Sequence, residues 1–148
     1  MSEAPRETIE IRRLSEGESS EVLGAAPLFD EPPDPDAVRA YLANDRNVFF
    51  LARSGSLPVG FLRGTGLDQI HSGRRQMFLY EVFVDAAWRR QGIGRALIRA
   101  LLEYCRTRKF EELFVFTDDP SNMAAHQLYR STGGRTETVG ERMYVYRL

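Results

Sequence analysis

The chain has 148 residues, of which 43% are hydrophobic and 28% charged, a composition typical of one globular domain. Its formal net charge of −1 argues against nucleic-acid binding, which needs a concentrated basic surface. We expect no secretory signal, because residues 1–10 lack an apolar stretch followed by a small-residue cleavage site. No apolar run approaches the roughly 20 residues that span a bilayer, and the single cysteine, Cys105, excludes an internal disulfide. We therefore predict one cytoplasmic domain over residues 1–148, with no membrane, metal or nucleic-acid partner. Self-association into a homodimer is left open.

The first half of the sequence changes from helix-like to strand-like patterning. Alternating apolar and charged residues indicate strands, and Pro- and Asp-rich stretches indicate loops and helix caps. The predicted elements are a strand over residues 9–14, a helix over 17–26, a loop over 27–35, a helix capped by Asp34 or Asp36 and ending near Asn44, and a hairpin of strands over 48–52 and 59–62.

The second half predicts alternating strands and helices. Residues 77–84 are apolar at every position but one, which favours a strand covered on both faces. From Ile93 to Cys105 apolar residues recur at helical spacing. The remaining predicted elements are a polar loop over 66–75, a strand over 112–117, a helix over 121–132 stopped by Gly133 and Gly134, and a closing strand over 143–147. The order indicates a mixed α/β fold.

A glycine-containing basic turn joins the apolar strand to the clearest helix. Gly92 and Gly94 allow backbone N–H groups to approach a ligand at a helix amino terminus, where unpaired donors and the helix dipole favour an anion. Arg90 and Arg95 add positive charge, so the turn predicts a diphosphate cradle. It is not a Walker loop, because no Gly-Lys-Ser/Thr follows. The alternative is that the glycines permit tight helix packing and the arginines are solvated.

Arg89, Gly92 and Gly94 match the acetyl-CoA motif of the GNAT superfamily, which the sequence resembles from about Arg12 to Leu148. The resemblance continues upstream through residues 80–84 and downstream from residue 121 to Tyr129. It implies a mixed, mostly antiparallel sheet flanked by about four helices. It also implies that the strands over 77–84 and 112–117 splay apart to admit the pantetheine arm.

The same resemblance implies acetyl-CoA as co-substrate and assigns its contacts. Backbone groups of one strand end would pair with the pantetheine arm, the following turn would hold the pyrophosphate, and one asparagine would contact the carrier. These residues are Val82, Phe83 and Val84, then Arg89, Arg90, Gln91, Gly92, Ile93, Gly94 and Arg95, and finally Asn122.

Acetyl transfer to an amine needs a base for the nitrogen and an acid for the leaving sulfur. Tyr129 matches the family tyrosine that acts as general acid; a helical tyrosine is otherwise a core residue. Glu81 is the one ionisable residue of the apolar strand and is our candidate base, directly or through water. The alternative is an ion pair with Arg74 or Arg75. Some relatives carry a glutamate where Thr117 stands here, which leaves Asp118 and Asp119 as substitutes.

Among GNAT enzymes the sequence looks like the aminoglycoside 3-N-acetyltransferases, from the layout of residues 28–30, 80–84 and 89–93. It departs from them at Asn122-Met123, where they often carry an acidic pair. Independently, a polycationic amine is best bound by several carboxylates, and a solvated acidic loop with no ligand is the alternative. The predicted substrate residues are Asp30, Glu31, Asp34, Asp36, Asp118 and Asp119.

Two other functions remain open from the sequence. One is acetylation of a peptide amino terminus or lysine, which would favour an open groove over an acidic cleft. The other is a non-catalytic acyl-CoA-binding module. The presence of both Glu81 and Tyr129 argues against the second function.

Overall fold

The structure, a computed structural model, describes residues 8–117, 121–136 and 144–148. Within these ranges one sheet contains five strands in the order β1-β2-β3-β4-β5. The strands are β1 (Ile9–Leu14), β2 (Asn47–Ser54), β3 (Leu57–Asp68), β4 (Arg75–Val84) and β5 (Glu112–Phe114). The pairs from β1 to β4 are antiparallel, and β5 joins β4 in parallel. The predicted mixed, mostly antiparallel sheet is confirmed.

Four helices accompany the sheet in the described residues, as predicted. They are α1 (Ser19–Leu23), α2 (Pro35–Ala43), α3 (Ile93–Thr107) and α4 (Met123–Ser131), with 3₁₀ turns at Ala26–Leu28 and Ala86–Trp88. α2 begins where the sequence predicts, because the Asp34 carboxylate accepts a hydrogen bond from the Ala37 N–H at 2.8 Å. None of the helices in these ranges combines the length and apolar character that crossing a bilayer requires.

The helices cover both faces of the sheet. α3 lies on one face and buries Ile93, Leu97, Leu101 and Cys105, the spacing that predicts an amphipathic helix. α1 and α2 pack on the other face around a stack of phenylalanine rings. Phe61 lies at the centre of this stack, with ring centroids 4.5 Å from Phe29 and 5.5 Å from Phe49. Each fully buried side chain of this size stabilises the fold by about 1.5–3 kcal/mol.

The prediction that β4 is covered on both faces holds only in part, since Phe83 packs against the phenylalanine stack on the second face but Tyr80 does not. Met77 and Leu79 are buried beneath α3, but Tyr80 is 57% exposed. Tyr80 instead contacts Phe78 in an aromatic cluster, in which the Phe78 and Phe114 rings stack with centroids 5.2 Å apart. Hydrophobicity shows which residues avoid water and does not show which element covers them.

Several boundaries also differ from the prediction. The helix expected over residues 17–26 splits into α1 and a 3₁₀ turn at Pro27, which has no N–H to continue a helix. β3 and β4 extend into the expected loop, leaving residues 69–74 between them, and β5 ends at Phe114. Residues 144–148 form no strand, and Met143 lies outside the described residues.

Candidate active site

β4 and β5 separate after only three paired positions. Their parallel pairing runs from Gln76↔Glu112 to Phe78↔Phe114, whereas β4 continues to Val84 while paired with β3 alone. Within the described residues, the backbone of the last β4 residues, including Val82, Phe83 and Val84, therefore faces a gap on the β5 side. An unpaired strand edge of this kind can hydrogen-bond an extended ligand. The predicted divergence of these two strands is confirmed.

A β-bulge lies at the point of divergence. Arg63 pairs with Glu81 and Gly64 pairs with Leu79, so Tyr80 is an extra residue on β4. A bulge bends its strand and re-aims the side chains beside it, and this one lies two residues beyond Phe78, the last β4 residue paired with β5. Bulges often accompany functional sites for this reason.

The amino terminus of α3 has no side-chain cap. Gly92 is its N-cap, with φ of 81°, and glycine has no side chain that could cap the first turn. The N–H groups of Ile93, Gly94 and Arg95 have no acceptor within the helix, because the first intrahelical donors come a turn later. A 15-residue helix therefore presents donors and the positive end of its dipole beside the gap. Arg95 and Arg90, whose φ is 63°, are exposed at this end.

The two glycines have different roles. A Cβ at Gly92 would meet no atom within 4 Å, so this position faces open space. Glycine is favoured here because the backbone is left-handed, and not because a side chain would collide with a neighbour. A Cβ at Gly94 would lie 3.4 Å from a Leu128 methyl carbon and 3.7 Å from Val84 Cγ2. Gly94 therefore permits close packing of α3 on α4 and β4. The packing explanation holds for Gly94, while Gly92 remains available to a ligand.

Arg89 points back toward β4 rather than along the helix axis. Its Nε donates to the Val84 carbonyl at 3.0 Å, and its guanidinium carbon lies 5.7 Å from the centroid of the Phe83 ring. This contact anchors the turn to the end of β4. Trp88 packs against the α3-side core. The exposed Gln91 lies between these anchored residues and Gly92.

Tyr129 lies on α4 beside Leu128 and packs partly against the core. Burial raises the pKa of its phenol above the usual value of 10, so the group is protonated at neutral pH. Among the described residues its hydroxyl has no hydrogen-bond partner. A half-buried phenol in this state can donate a proton.

Glu81 forms an ion pair with a strand residue, not with the loop arginines considered from the sequence. Arg63 Nε donates to Glu81 Oε1 at 2.5 Å, and the Glu81 side chain is 40% exposed. The Arg63 guanidinium carbon also lies 3.9 Å from the centroid of the Tyr80 ring. Sequence reasoning missed Arg63, because its contact depends on the β3–β4 register and on the bulge.

Two of the predicted substrate aspartates, and the predicted carrier contact Asn122, already have hydrogen-bond or ion-pair partners at their own helices. Asp34 caps α2, Asp36 pairs with Arg39, and Asp30 and Glu31 are exposed. The Asn122 side-chain oxygen caps α4 by accepting from the Ala125 N–H at 3.1 Å, so a carrier contact would use its amide nitrogen. The last two predicted substrate residues, Asp118 and Asp119, lie outside the described residues.

The residues that the structure describes offer neither a cluster of metal ligands nor a reactive thiol. These ranges contain no group of three or more His, Cys, Asp or Glu residues that could hold a metal ion. Burial raises the pKa of the Cys105 thiol to about 11, so little reactive thiolate exists at neutral pH.

A strand divergence beside an uncapped, glycine-led helix is the arrangement that the resemblance implies, and the family profile decides the assignment. The profile described as the Acetyltransferase (GNAT) family matches residues 11–133. The chain belongs to this GNAT family. GNAT enzymes are acetyltransferases that use acetyl-CoA as the donor of the acetyl group.

Two relatives by sequence are acetyltransferases. N-alpha-acetyltransferase RimI of Mycobacterium tuberculosis (strain ATCC 25618 / H37Rv) is 41% identical over 128 residues, which cover 83% of this chain and 74% of RimI. N-acetyltransferase 8 of Homo sapiens is 31% identical over 98 residues, which cover 66% of this chain and 43% of the human protein. The match therefore spans less than half of the human relative.

Solved structures share the GNAT fold over nearly the whole chain. The aminoglycoside acetyltransferase meta-AAC0020, from an uncultured soil metagenomic sample, superimposes with a TM-score of 0.84 at 29% identity, covering 94% of this chain and 97% of that chain, in its complex with trehalose. Its complex with sisomicin gives the same TM-score at 28% identity.

Proposed function

We propose that the chain transfers the acetyl group of acetyl-CoA directly to a primary amine of a small cationic acceptor, with aminoglycosides as the leading case. The observation that supports acetyl transfer best is the divergence of β4 from β5 beside the uncapped amino terminus of α3. The β4 edge offers backbone groups to the pantetheine arm, and the helix offers N–H donors to the pyrophosphate.

We assign the acid and base roles to Tyr129 and Glu81. In the proposed reaction the acceptor nitrogen loses a proton to Glu81, an N–C bond forms, the C–S bond breaks, and Tyr129 protonates the leaving sulfur. Burial raises the pKa of Tyr129, so the phenol carries its proton at neutral pH, as a proton donor must. The high pKa of Cys105 argues against an acetyl-cysteine intermediate and favours direct transfer.

The ion pair between Arg63 and Glu81 affects which acceptor amines can bind. Its guanidinium already holds Glu81 at 2.5 Å, so an incoming ammonium competes with it for the carboxylate. An acceptor with several amines compensates for this competition through other carboxylates, of which Asp30 and Glu31 are exposed. The likeness to meta-AAC0020 along 94% of the chain favours aminoglycosides. The 3-amino group as acceptor position follows from the sequence resemblance alone.

A peptide α-amine is the second candidate acceptor. The 41% identity to RimI favours it, and so do two exposed rings beside the strand divergence. Tyr80 is 57% and Phe116 63% exposed, and both contact Phe78. Such rings would contact an apolar first side chain of a peptide.

A thiol-release assay with acetyl-CoA tests these proposals. The acceptor panel contains aminoglycosides, polyamines, amino acids and peptides, each at two salt concentrations. We expect aminoglycoside turnover, with KM rising with salt because partly exposed ion pairs are screened. Peptide turnover with little salt dependence would replace the aminoglycoside proposal. Acetyl-CoA binding without thiol release from any acceptor would favour the non-catalytic module.

A further inference from the structure

A second charged cleft lies at the opposite end of α3 from Gly92. α3 has 15 residues and is therefore about 22 Å long, so the cleft is well separated from the helix amino terminus at Gly92, where the pyrophosphate is proposed to bind. The cleft has a volume of about 310 Å³ and lies where β1 ends, β4 begins and α3 terminates. Its walls include Arg13, Arg75, Arg108 and Tyr104.

The cleft concentrates positive charge on a chain whose net charge is −1. Three arginines line it, against the single carboxylate of Asp45. Elsewhere in the described ranges arginines such as Arg46 and Arg53 pair with carboxylates. None of the three cleft arginines has a carboxylate partner among the described residues.

Aromatic rings hold these guanidinium groups in place. The guanidinium carbons of Arg108 and Arg13 lie 3.8 and 5.4 Å from the centroid of the Tyr104 ring, and that of Arg75 lies 4.7 Å from Phe110. A guanidinium stacked by its face keeps the N–H donors at its edge available for bidentate bonds. Because stacking already orders the side chains, a ligand meets a lower entropic cost.

The neighbouring polar residues are partly committed to the fold. The Asn47 amide donates to the Tyr41 carbonyl at 3.2 Å, and the Ser15 hydroxyl donates to Glu18 at 3.1 Å. The arginines are therefore the main donors. At about 30 Å³ per water molecule, the cleft holds roughly ten waters, enough room for a ligand the size of citrate.

We propose that this cleft binds a small anion carrying two or more carboxylate or phosphate groups, at a site separate from the proposed acetyl-CoA site. Planar carboxylate and phosphate groups match the fork of an arginine, and two such groups can engage two guanidiniums at once. This proposal does not depend on acetyl transfer.

Calorimetry with citrate and with inorganic pyrophosphate, at matched ionic strength, tests the proposal. The test variant is Arg13→Gln/Arg108→Gln, and Arg75→Gln provides an independent second variant. The matched control, Arg99→Gln/Arg106→Gln, removes the same charge from exposed positions of α3 outside the cleft. We expect the cleft variants to weaken binding of at least one anion by about 10- to 100-fold, since bonds to charged groups are individually strong. The control should change it less than about threefold, because only distant, screened charge is removed.

A further arm separates the cleft from the proposed pyrophosphate cradle. In Gly92→Asp, anion binding at the cleft should persist. Loss of binding in Gly92→Asp, or equal binding by the wild type and both cleft variants, would overturn the proposal. No binding of either anion to the wild type would overturn it as well. If citrate alone depends on the cleft, the site takes carboxylates; if pyrophosphate alone does, it takes phosphates.

Discussion

Substituting Gly92 separates ligand binding from packing at the amino terminus of α3. A Cβ at this position meets no atom within 4 Å, so an added side chain enters open space. The backbone φ of 81° is unfavourable for most side chains, but aspartate and asparagine tolerate it better than other residues. Gly92→Asp and Gly92→Asn therefore share shape and strain and differ in charge.

The expected stability cost is small and equal for the two variants. A non-glycine residue in the left-handed region costs about 1–2 kcal/mol, and less for Asp and Asn. We expect both variants to unfold about 2–4 °C below the wild type, as a change of about 1 kcal/mol does in a domain of this size. Gly94 provides the contrast. Its Cβ would meet Leu128 at 3.4 Å, so a larger residue there would perturb the packing of α3 on α4.

The expected effect on acetyl-CoA binding depends on charge. A carboxylate about 5 Å from one phosphate charge costs roughly 1–3 kcal/mol at an effective dielectric constant between 80 and 20. Gly92→Asp should therefore weaken acetyl-CoA binding by about 5- to 160-fold for each phosphate charge at that distance. Gly92→Asn should weaken it much less, because it adds no charge.

Calorimetric titration of acetyl-CoA into the three proteins measures these affinities, and thermal melts confirm that each variant is folded. Unchanged affinity in Gly92→Asp would refute a pyrophosphate site at this helix terminus. Equal losses in the Asp and Asn variants would show that backbone strain, and not charge, disturbs the ligand.

Four further changes have defined outcomes. Tyr129→Phe should lower kcat by about 10²- to 10⁴-fold with unchanged acetyl-CoA affinity, as expected for loss of a general acid. Wild-type turnover in this variant would show that Tyr129 only packs against the core. Arg63→Gln should lower KM for a cationic acceptor, since Glu81 loses its competing partner, and a higher KM would show that Arg63 positions Glu81 instead. Burial raises the pKa of Tyr41 to about 12. The protonated Tyr41 side chain therefore contributes up to roughly 3 kcal/mol to the free energy of unfolding below pH 10, and this contribution is lost as the pH rises toward 12. Urea unfolding across this range should show a shallower decline for Tyr41→Phe. Lys109 has φ of 57° just after α3, so Lys109→Gly should stabilise the fold by about 0.5–1 kcal/mol in urea unfolding, whereas Lys109→Ala should not.

The elements with a strong local signal could be predicted from the sequence. The helical spacing from Ile93 to Cys105 predicts α3 and its buried face, and Asp34 before Pro35 predicts the start of α2. The glycine turn before α3 and the order of strands predict the fold class. These features depend on neighbours within one or two turns, which a sequence displays directly.

Features that depend on register could not be predicted. Arg63 and Glu81 are 18 positions apart and meet only because Tyr80 is accommodated in a bulge. The different roles of Gly92 and Gly94 follow from what surrounds each Cβ, which spacing does not show. The exposure of Tyr80 on β4 could not be predicted for the same reason, since hydrophobic residues can cluster with one another at the surface.

Product analysis by mass spectrometry tests acetyl transfer most directly. The protein is incubated with acetyl-CoA and an aminoglycoside such as sisomicin, and with a peptide carrying a free α-amine. Acetylated amine and released thiol are then measured together. We expect one acetylated nitrogen for each thiol released, with no acetyl group retained on the protein. Acetyl-CoA that binds without yielding acetylated amine, or an acetyl group retained on the protein, would contradict it.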